Sequence, residues 1–302
     1  MSRLRVLPGV LILLLFVTAT ASAQVTLKHK YAEGTQFKTQ VTRKVDQQFN
    51  LAGMDRPSKV DMKLVARMAY GKRDAEKNVP VESKIESVTA SLSLFGTNVT
   101  FDSTKPDEKP SDMVAQLVTD QLRKLTGMTF NYKVSPENKI IAGEQPKGET
   151  LVDPEQIISG AQQELDMIPV KPLKPGDKWE RTVTEDIGGG QIFTFKRNYE
   201  YVGEVPEFAT VPGSRKLDKI TASDSSVEYS IKPNAAMGLT AKSSELKIES
   251  SKHAYLFDRE AGRTVNTESE VRITGKLGLS INNMDLDGVL DLTMGTRAEE
   301  VK

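Results

Sequence analysis

The chain has 302 residues, with 41 basic and 41 acidic side chains and no cysteine. Balanced charge excludes the sequence-independent grip on nucleic acid that counterion release gives a basic surface, and it excludes a polybasic membrane patch. With no cysteine there is no disulfide and no lipid-modified cysteine anchor, so packing must hold the fold.

Arg3 and Arg5, the apolar run Val10–Val17 and the small-residue site Ala21-Ser22-Ala23 read as a signal peptide cleaved between Ala23 and Gln24. The run is too short for a ~30 Å hydrocarbon core, which takes about 20 residues. These features predict an exported protein, periplasmic or extracellular, with no transmembrane segment after cleavage. Removing 23 of the 302 residues leaves 279 and takes two basic residues away, for a net charge of −2.

Period-2 alternation follows. Phe37, Thr39, Val41, Arg43, Val45, Gln47, Phe49 and Leu51 occupy every second position. Met62–Tyr70, Val88–Leu94 and Met128–Val134 repeat the pattern. Such stretches are half-buried antiparallel strands. Two stretches switch to helical spacing. Over 111–126, Val114, Leu117, Val118, Leu122 and Leu125 line one face, with Gly127 placed to follow the C-cap. Over 153–168, Asp153 is the expected N-cap and Pro154 the first helical residue, and Ile157, Ile158, Ala161, Leu165 and Ile168 form a stripe. Both stripes are expected to face a core.

At the C-terminal end, Val271–Ile281 and Met284–Met294 alternate on either side of Asn282-Asn283. Asn tolerates positive φ, which the favoured two-residue hairpin turns require. The spacing predicts Ile281 opposite Met284, Leu279 opposite Leu286 and Ile273 opposite Leu292. It also sets Gly288 against Leu277 and Gly275 against Leu290.

The chain echoes itself. Lys30-Tyr31-Ala32-Glu33-Gly34-Thr35-Gln36-Phe37 matches Pro172-Leu173-Lys174-Pro175-Gly176-Asp177-Lys178-Trp179, a glycine turn opening a strand on an aromatic. Tyr132–Lys139 matches Tyr255–Arg263, strand, acidic turn, strand. Restricted turn chemistry alone makes hairpins look alike, so a pseudo-duplicated architecture and chance likeness both fit. The expected division is an N-terminal β-rich half, 24–150, and a C-terminal half, 151–302, or one continuous domain, 24–302. The fold class read from these elements is α+β, mainly antiparallel β: a large curved sheet or half-barrel with two interposed helices.

The aromatics after Glu33-Gly34-Thr35 and Pro175-Gly176-Asp177, the stretch Leu125–Glu144 and the stretch Pro172–Thr182 resemble a β-rich family of exported bacterial proteins of unknown function, planctomycete-type. That family has no assigned activity, so the resemblance implies no functional residue. The long strands with two helices are also similar, at the level of fold, to periplasmic lipoprotein carriers.

Motifs for chemistry are few. A phosphate loop needs a helix directly after its glycines, but Gly188-Gly189-Gly190 precedes the strand-like Phe193, Phe195, Arg197, Tyr199, so it is a hairpin turn. Gly143–Thr150 has phosphate-loop spacing with Glu149 where the lysine must stand. Asn283–Gly288 resembles the start of a calcium loop, but Met294 stands where the bidentate Glu belongs, and the hairpin sends Asp285, Asp287 and Asp291 to a solvated face. His29 is expected at the surface, and neither it nor His253 has zinc spacing. Ser244 and Lys247 match S-x-x-K only nominally, because a strand sends them to opposite faces. No catalytic, cofactor-binding or metal-binding residue is assigned, no cofactor is implied, and ligand-binding residues are unknown.

Three functions fit. The first is a non-enzymatic exported protein binding a hydrophobic or acyl-chain ligand in the cell envelope, its interior softened by Met54, Met62, Met68, Met113, Met128, Met167, Met237, Met284 and Met294. The second is an envelope scaffold with a filled core and a protein partner. The third is a hydrolase with an unrecognised carboxylate site. No nucleic-acid partner is expected.

Overall fold

The computed structural model describes residues 24–94, 96–105, 110, 112–141, 143, 154–207, 214–232, 239–281 and 284–301. The expected leader 1–23, Ser111, Asp153, Met237, Asn282-Asn283 and residues 144–150 of the second glycine loop lie outside them.

The elements in order are β1 (Gln36–Leu51), β2 (Met54–Tyr70), β3 (Val79–Leu94), β4 (Thr97–Asp102), α1 (Met113–Leu125), β5 (Thr129–Val134), β6 (Ile140–Ile141), α2 (Pro154–Met167), β7 (Lys178–Asp186), β8 (Gln191–Pro206), β9 (Lys216–Ile231), β10 (Leu239–Asp258), β11 (Arg263–Ile281) and β12 (Met284–Val301). The twelve strands make one sheet in the order β6-β5-β3-β2-β1-β12-β11-β10-β9-β8-β7, with β4 also paired to β3. Neighbouring strands run antiparallel throughout, and β1 lies beside β12, with Val45 opposite Met294 and Phe49 opposite Leu290. Both halves of the chain thus share one sheet. The mainly antiparallel α+β reading holds.

Contacts across the sheet show how it curves. Ten strand spacings of about 4.8 Å would set β6 and β7 roughly 48 Å apart in a flat sheet. Yet neighbouring residues of α2 hold both edges. Gln162 Oε1 accepts from the Ile140 N–H at 2.7 Å, and its amide donates to the Asn138 carbonyl. Gln163 Oε1 accepts from the Thr184 N–H at 2.7 Å, and its amide donates to the Thr184 carbonyl. The sheet is therefore rolled into a trough, and α2 lies along the seam. The two glutamines satisfy backbone groups that an open edge would offer to another chain. Trp179 Nε1 and Arg181 Nε, both on β7, donate to the Met167 and Asp166 carbonyls and so satisfy the C-terminal end of α2.

The terminal hairpin has the expected register: Ile281 faces Met284, Leu279 faces Leu286, Leu277 faces Gly288, Gly275 faces Leu290 and Ile273 faces Leu292. Gly288 makes room for a ring, since a Cβ there would stand 2.9 Å from Phe49 Cε2. Asp285 and Asp287 are exposed. Asp285 pairs with Lys242, and Asp291 pairs with Arg272 at 2.9 Å. Replacing Asp287 by Ser should change stability by no more than about half a kcal/mol, as surface substitutions usually do. Calcium should leave the melting temperature of both proteins unchanged. A calcium-dependent rise in the parent, lost in the variant, would contradict the solvated-face reading.

The echoed turns coincide in detail. Gly34 and Gly176 both have positive φ, +75° and +89°. The Gly34 N–H donates to the Tyr70 carbonyl while the Tyr70 N–H donates to Thr35; Gly176 and Asp177 repeat this pair of bonds with Tyr201. Gly188-Gly189-Gly190 joins β7 to β8 with positive φ at all three residues, as a hairpin turn.

The α1 stripe needs correction. Asp112 caps the helix by accepting from the Ala115 N–H at 2.8 Å. The buried face is Ala115, Thr119, Leu122 and Leu125, with Val118 packed beside it. Val114 and Leu117 are exposed. Small residues at 115 and 119 let the helix backbone lie close on β3 and β4, which turns the larger apolar side chains outward. The α2 stripe faces inward as expected: Ile157, Ile158 and Leu165 pack against core clusters and Ile168 is buried. Among the described residues no helix is long and apolar enough to cross a membrane.

A candidate ligand chamber beneath α2

The concave face of β1, β2, β3 and β5 carries Phe37, Val41, Met68, Tyr70, Val81 and Tyr132 because period-2 alternation sends these residues inward. Helix α2 contributes Ile157, Ala161, Glu164 and Leu165 at helical spacing. The start of β11 adds Arg263 to Thr267. Together with His29 and Tyr31 these residues line a partly open chamber of about 340 Å3, within the usual range of roughly 300–1,000 Å3 for small-molecule sites. Its wall is mainly apolar and aromatic. Tyr70 meets Tyr31 and Phe37 edge-on, with ring centroids 5.4 and 5.7 Å apart.

The polar groups of the chamber are few. Glu164 is an exposed residue on the chamber wall, and the density of protein around it raises its carboxyl above the ordinary carboxylate range. The Thr264 hydroxyl lies beside it without a well-aligned bond. Burial, and next the charge of Glu164, push the Tyr70 phenol up to about 12. Burial likewise raises Tyr31 and Tyr132, with smaller contributions from Tyr70 and Glu164. Arg263 is committed elsewhere: it donates to Glu300 at 2.8 and 3.1 Å and lies 4.3 Å above the Phe37 ring.

His29 is a correction. The expected surface residue is partly buried and packs edge-on against Phe257 with centroids 5.6 Å apart. Burial lowers its pKa to about 4, so it is neutral at pH 7. Its position among Lys28 and Lys30 suggested solvent, but the N-terminal segment is pinned by backbone bonds between Val25 and Leu173 and between Lys30 and Gly262. The methionine reading is corrected as well. Among the described methionines only Met68 lines the chamber, while Met54, Met113 and Met284 are exposed.

A second polar cluster occupies the same concave face where β9 parts from β10, whose pairing runs from Phe257–Asp218 to His253–Ala222. Arg197, 5% exposed, donates to Asp224 at 2.7 Å, to Glu185 at 3.0 Å and to the Tyr255 hydroxyl at 3.3 Å. His253 Nε2 lies 2.8 Å from Asp224 and Nδ1 lies 2.8 Å from Ser269 Oγ. Ser251 Oγ accepts from the Asp224 N–H, a backbone donor freed where the ladder ends. The Asp224–His253–Ser269 order has the spacing of orienter, base and nucleophile. Ser269, however, sits in mid-strand, paired with His253 on one side and Thr296 on the other. Its neighbouring amides are engaged in the ladder, so no preorganised donor pair stands beside Oγ to hold an oxyanion. The cluster is well explained as the staple of the fork.

Sequence reasoning assigned no site residue and missed Glu164. A signal was present: Glu164 falls three residues after Ala161 and one before Leu165, a carboxyl within the apolar stripe of α2. Tyr31, Tyr70 and Tyr132 were visible as aromatics, but not their convergence.

No protein-family model matches the chain, and no curated protein matches it. Among solved structures, the chain is similar to lipovitellin, described for its lipid–protein interactions. The two are 11% identical with a TM-score of 0.42 over 90% of this chain and 26% of that one. The chain thus spans about a quarter of that protein's length. It is also similar to DynF from the dynemicin biosynthesis pathway of Micromonospora chersina, at 7% identity and a TM-score of 0.20 over 92% of this chain and 85% of that one.

Proposed function

We propose that the protein is an exported, non-enzymatic binder of a hydrophobic small molecule, held in the chamber beneath α2. One observation carries this reading: a chamber of about 340 Å3, walled mainly by apolar and aromatic side chains, lies between a rolled sheet and a single helix. A scaffold protein needs no such space, and interiors generally close-pack. Hydrophobic burial supplies the affinity and the few polar groups set orientation. The leader-like segment 1–23 supports export.

Native mass spectrometry of protein collected after secretion tests both parts. The expected mass lacks residues 1–23 and carries a noncovalent adduct, or takes up the neutral dye N-phenyl-1-naphthylamine saturably. Ala161→Trp, which projects an indole into the chamber, should weaken dye binding about tenfold or more, as loss of a buried apolar contact of ~1.5 kcal/mol would. A folded protein with neither adduct nor saturable dye binding would leave the scaffold reading standing instead.

A further inference from the structure

Among the described residues, the buried carboxylates of Asp218, Asp258 and Asp224 all have arginine partners. Asp218 is held by Arg259 at 2.5 and 3.0 Å, Asp258 by Arg215 at 2.7 Å, and Asp224 by Arg197 at 2.7 Å. Among the described residues Glu164 has no ion-pair partner, only the nearby Thr264 hydroxyl. Arg263, the one arginine lining the same chamber, is engaged by Glu300 and Phe37. A carboxyl that lines an apolar cleft, has its pKa shifted and has no ion pair is a candidate functional group.

The surroundings of Glu164 suit a cation. Tyr31, Tyr70 and Tyr132 line the chamber with it, and each phenol responds to its charge. Aromatic faces attract ammonium groups through the ring quadrupole, most strongly when water is excluded. Phe37, on the same wall, already carries the Arg263 guanidinium over its face. We infer that the chamber recognises an organic cation with an apolar body, an amine or quaternary ammonium, using Glu164 as its counter-charge and Tyr31, Tyr70 and Tyr132 as its aromatic wall. A fatty-acid anion would meet the Glu164 carboxyl, and the arginine described on the same wall, Arg263, is already engaged by Glu300. This inference rests on the proposed hydrophobic-ligand function and names the ligand's class.

Displacement of bound N-phenyl-1-naphthylamine by three ten-carbon competitors tests it, each kept below its micelle-forming concentration. Decyltrimethylammonium should displace the dye at a concentration on the order of tenfold lower than decan-1-ol, in keeping with a desolvated cation–π contact and a charge pair. Decanoate should be weakest. Glu164→Gln should bring the ammonium level with the alcohol while dye binding persists. Tyr70→Phe should retain the cation preference, because the ring face remains. Decanol or decanoate equal to or better than the ammonium in the parent protein would overturn the inference while leaving the binding function intact. Failure of the folded parent to bind the dye would overturn both. The parent competitor series decides the matter even if Glu164→Gln does not fold.

Discussion

Replacing Asp224 by Ala should lower stability at pH 7 by about 3–5 kcal/mol, the usual cost of removing one partner from a buried ion pair. Asp224 takes both the Arg197 guanidinium at 2.7 Å and His253 Nε2 at 2.8 Å, and both of those side chains are buried. Its loss leaves Arg197 with Glu185 and Tyr255, and leaves the fork between β9 and β10 without its staple. Urea unfolding midpoints measure the effect. Arg272→Ala, which breaks an exposed pair with Asp291, should barely move the midpoint. The pH dependence has a definite sign. Burial alone would raise the Asp224 carboxyl, but hydrogen bonds from His253 and Arg197 outweigh it and hold the pKa at about 2, below the ordinary 3.8. A carboxyl lower in the folded state stabilises fully above its unfolded pKa and loses that contribution as pH falls. The gap between parent and Asp224→Ala should therefore be full above about pH 4 and shrink from there towards pH 2. A gap that stays constant across that window would contradict the assignment.

Leu279→Asp should remove cooperative folding. Leu279 is 1% exposed and packs in the cluster formed by Phe193, Phe195, Ile273, Leu277, Leu290 and Leu292. Truncating a buried leucine costs about 2–5 kcal/mol. An unpaired carboxylate in its place adds the cost of desolvation, and the whole domain has only about 5–15 kcal/mol to lose. Circular dichroism should show no sharp thermal transition, or the chain should fail to accumulate. Leu279→Met, nearly equal in volume, should cost less than about 1.5 kcal/mol. A cooperative transition in Leu279→Asp within a few degrees of the parent would place Leu279 on the wrong face.

That cluster also shows why some of the structure was legible. Leu277, Leu279, Leu290 and Leu292 alternate with polar residues, and a one-residue slip would expose all of them. The hairpin register therefore follows from local pattern. The same holds for the concave face of β1 and for the glycine turns at Gly34 and Gly176, where positive φ is required. The α1 stripe was right for Val118, Leu122 and Leu125 and wrong for Val114 and Leu117, because periodicity marks an apolar arc without saying which edge of it meets the sheet. Ala115 and Thr119, small rather than strongly apolar, decided that contact.

Alternation and helical spacing by themselves determined that the chain is mainly antiparallel β, which side chains share a face, how the terminal hairpin pairs, and that the triple glycine is a turn. These are short-range properties, set by two or four residues of spacing. Only the tertiary structure decided that β1 joins β12, that β9 leaves β10 at Ala222–His253, and that the sheet rolls until Gln162 and Gln163 of one helix reach opposite edges. Each of those contacts joins residues distant in the chain, and the roll depends on how twist accumulates over all the strands. The chamber exists only through that closure. Glu164, Tyr31, Tyr70 and Tyr132 come from four separate segments, so their convergence has no signature in any single stretch of sequence.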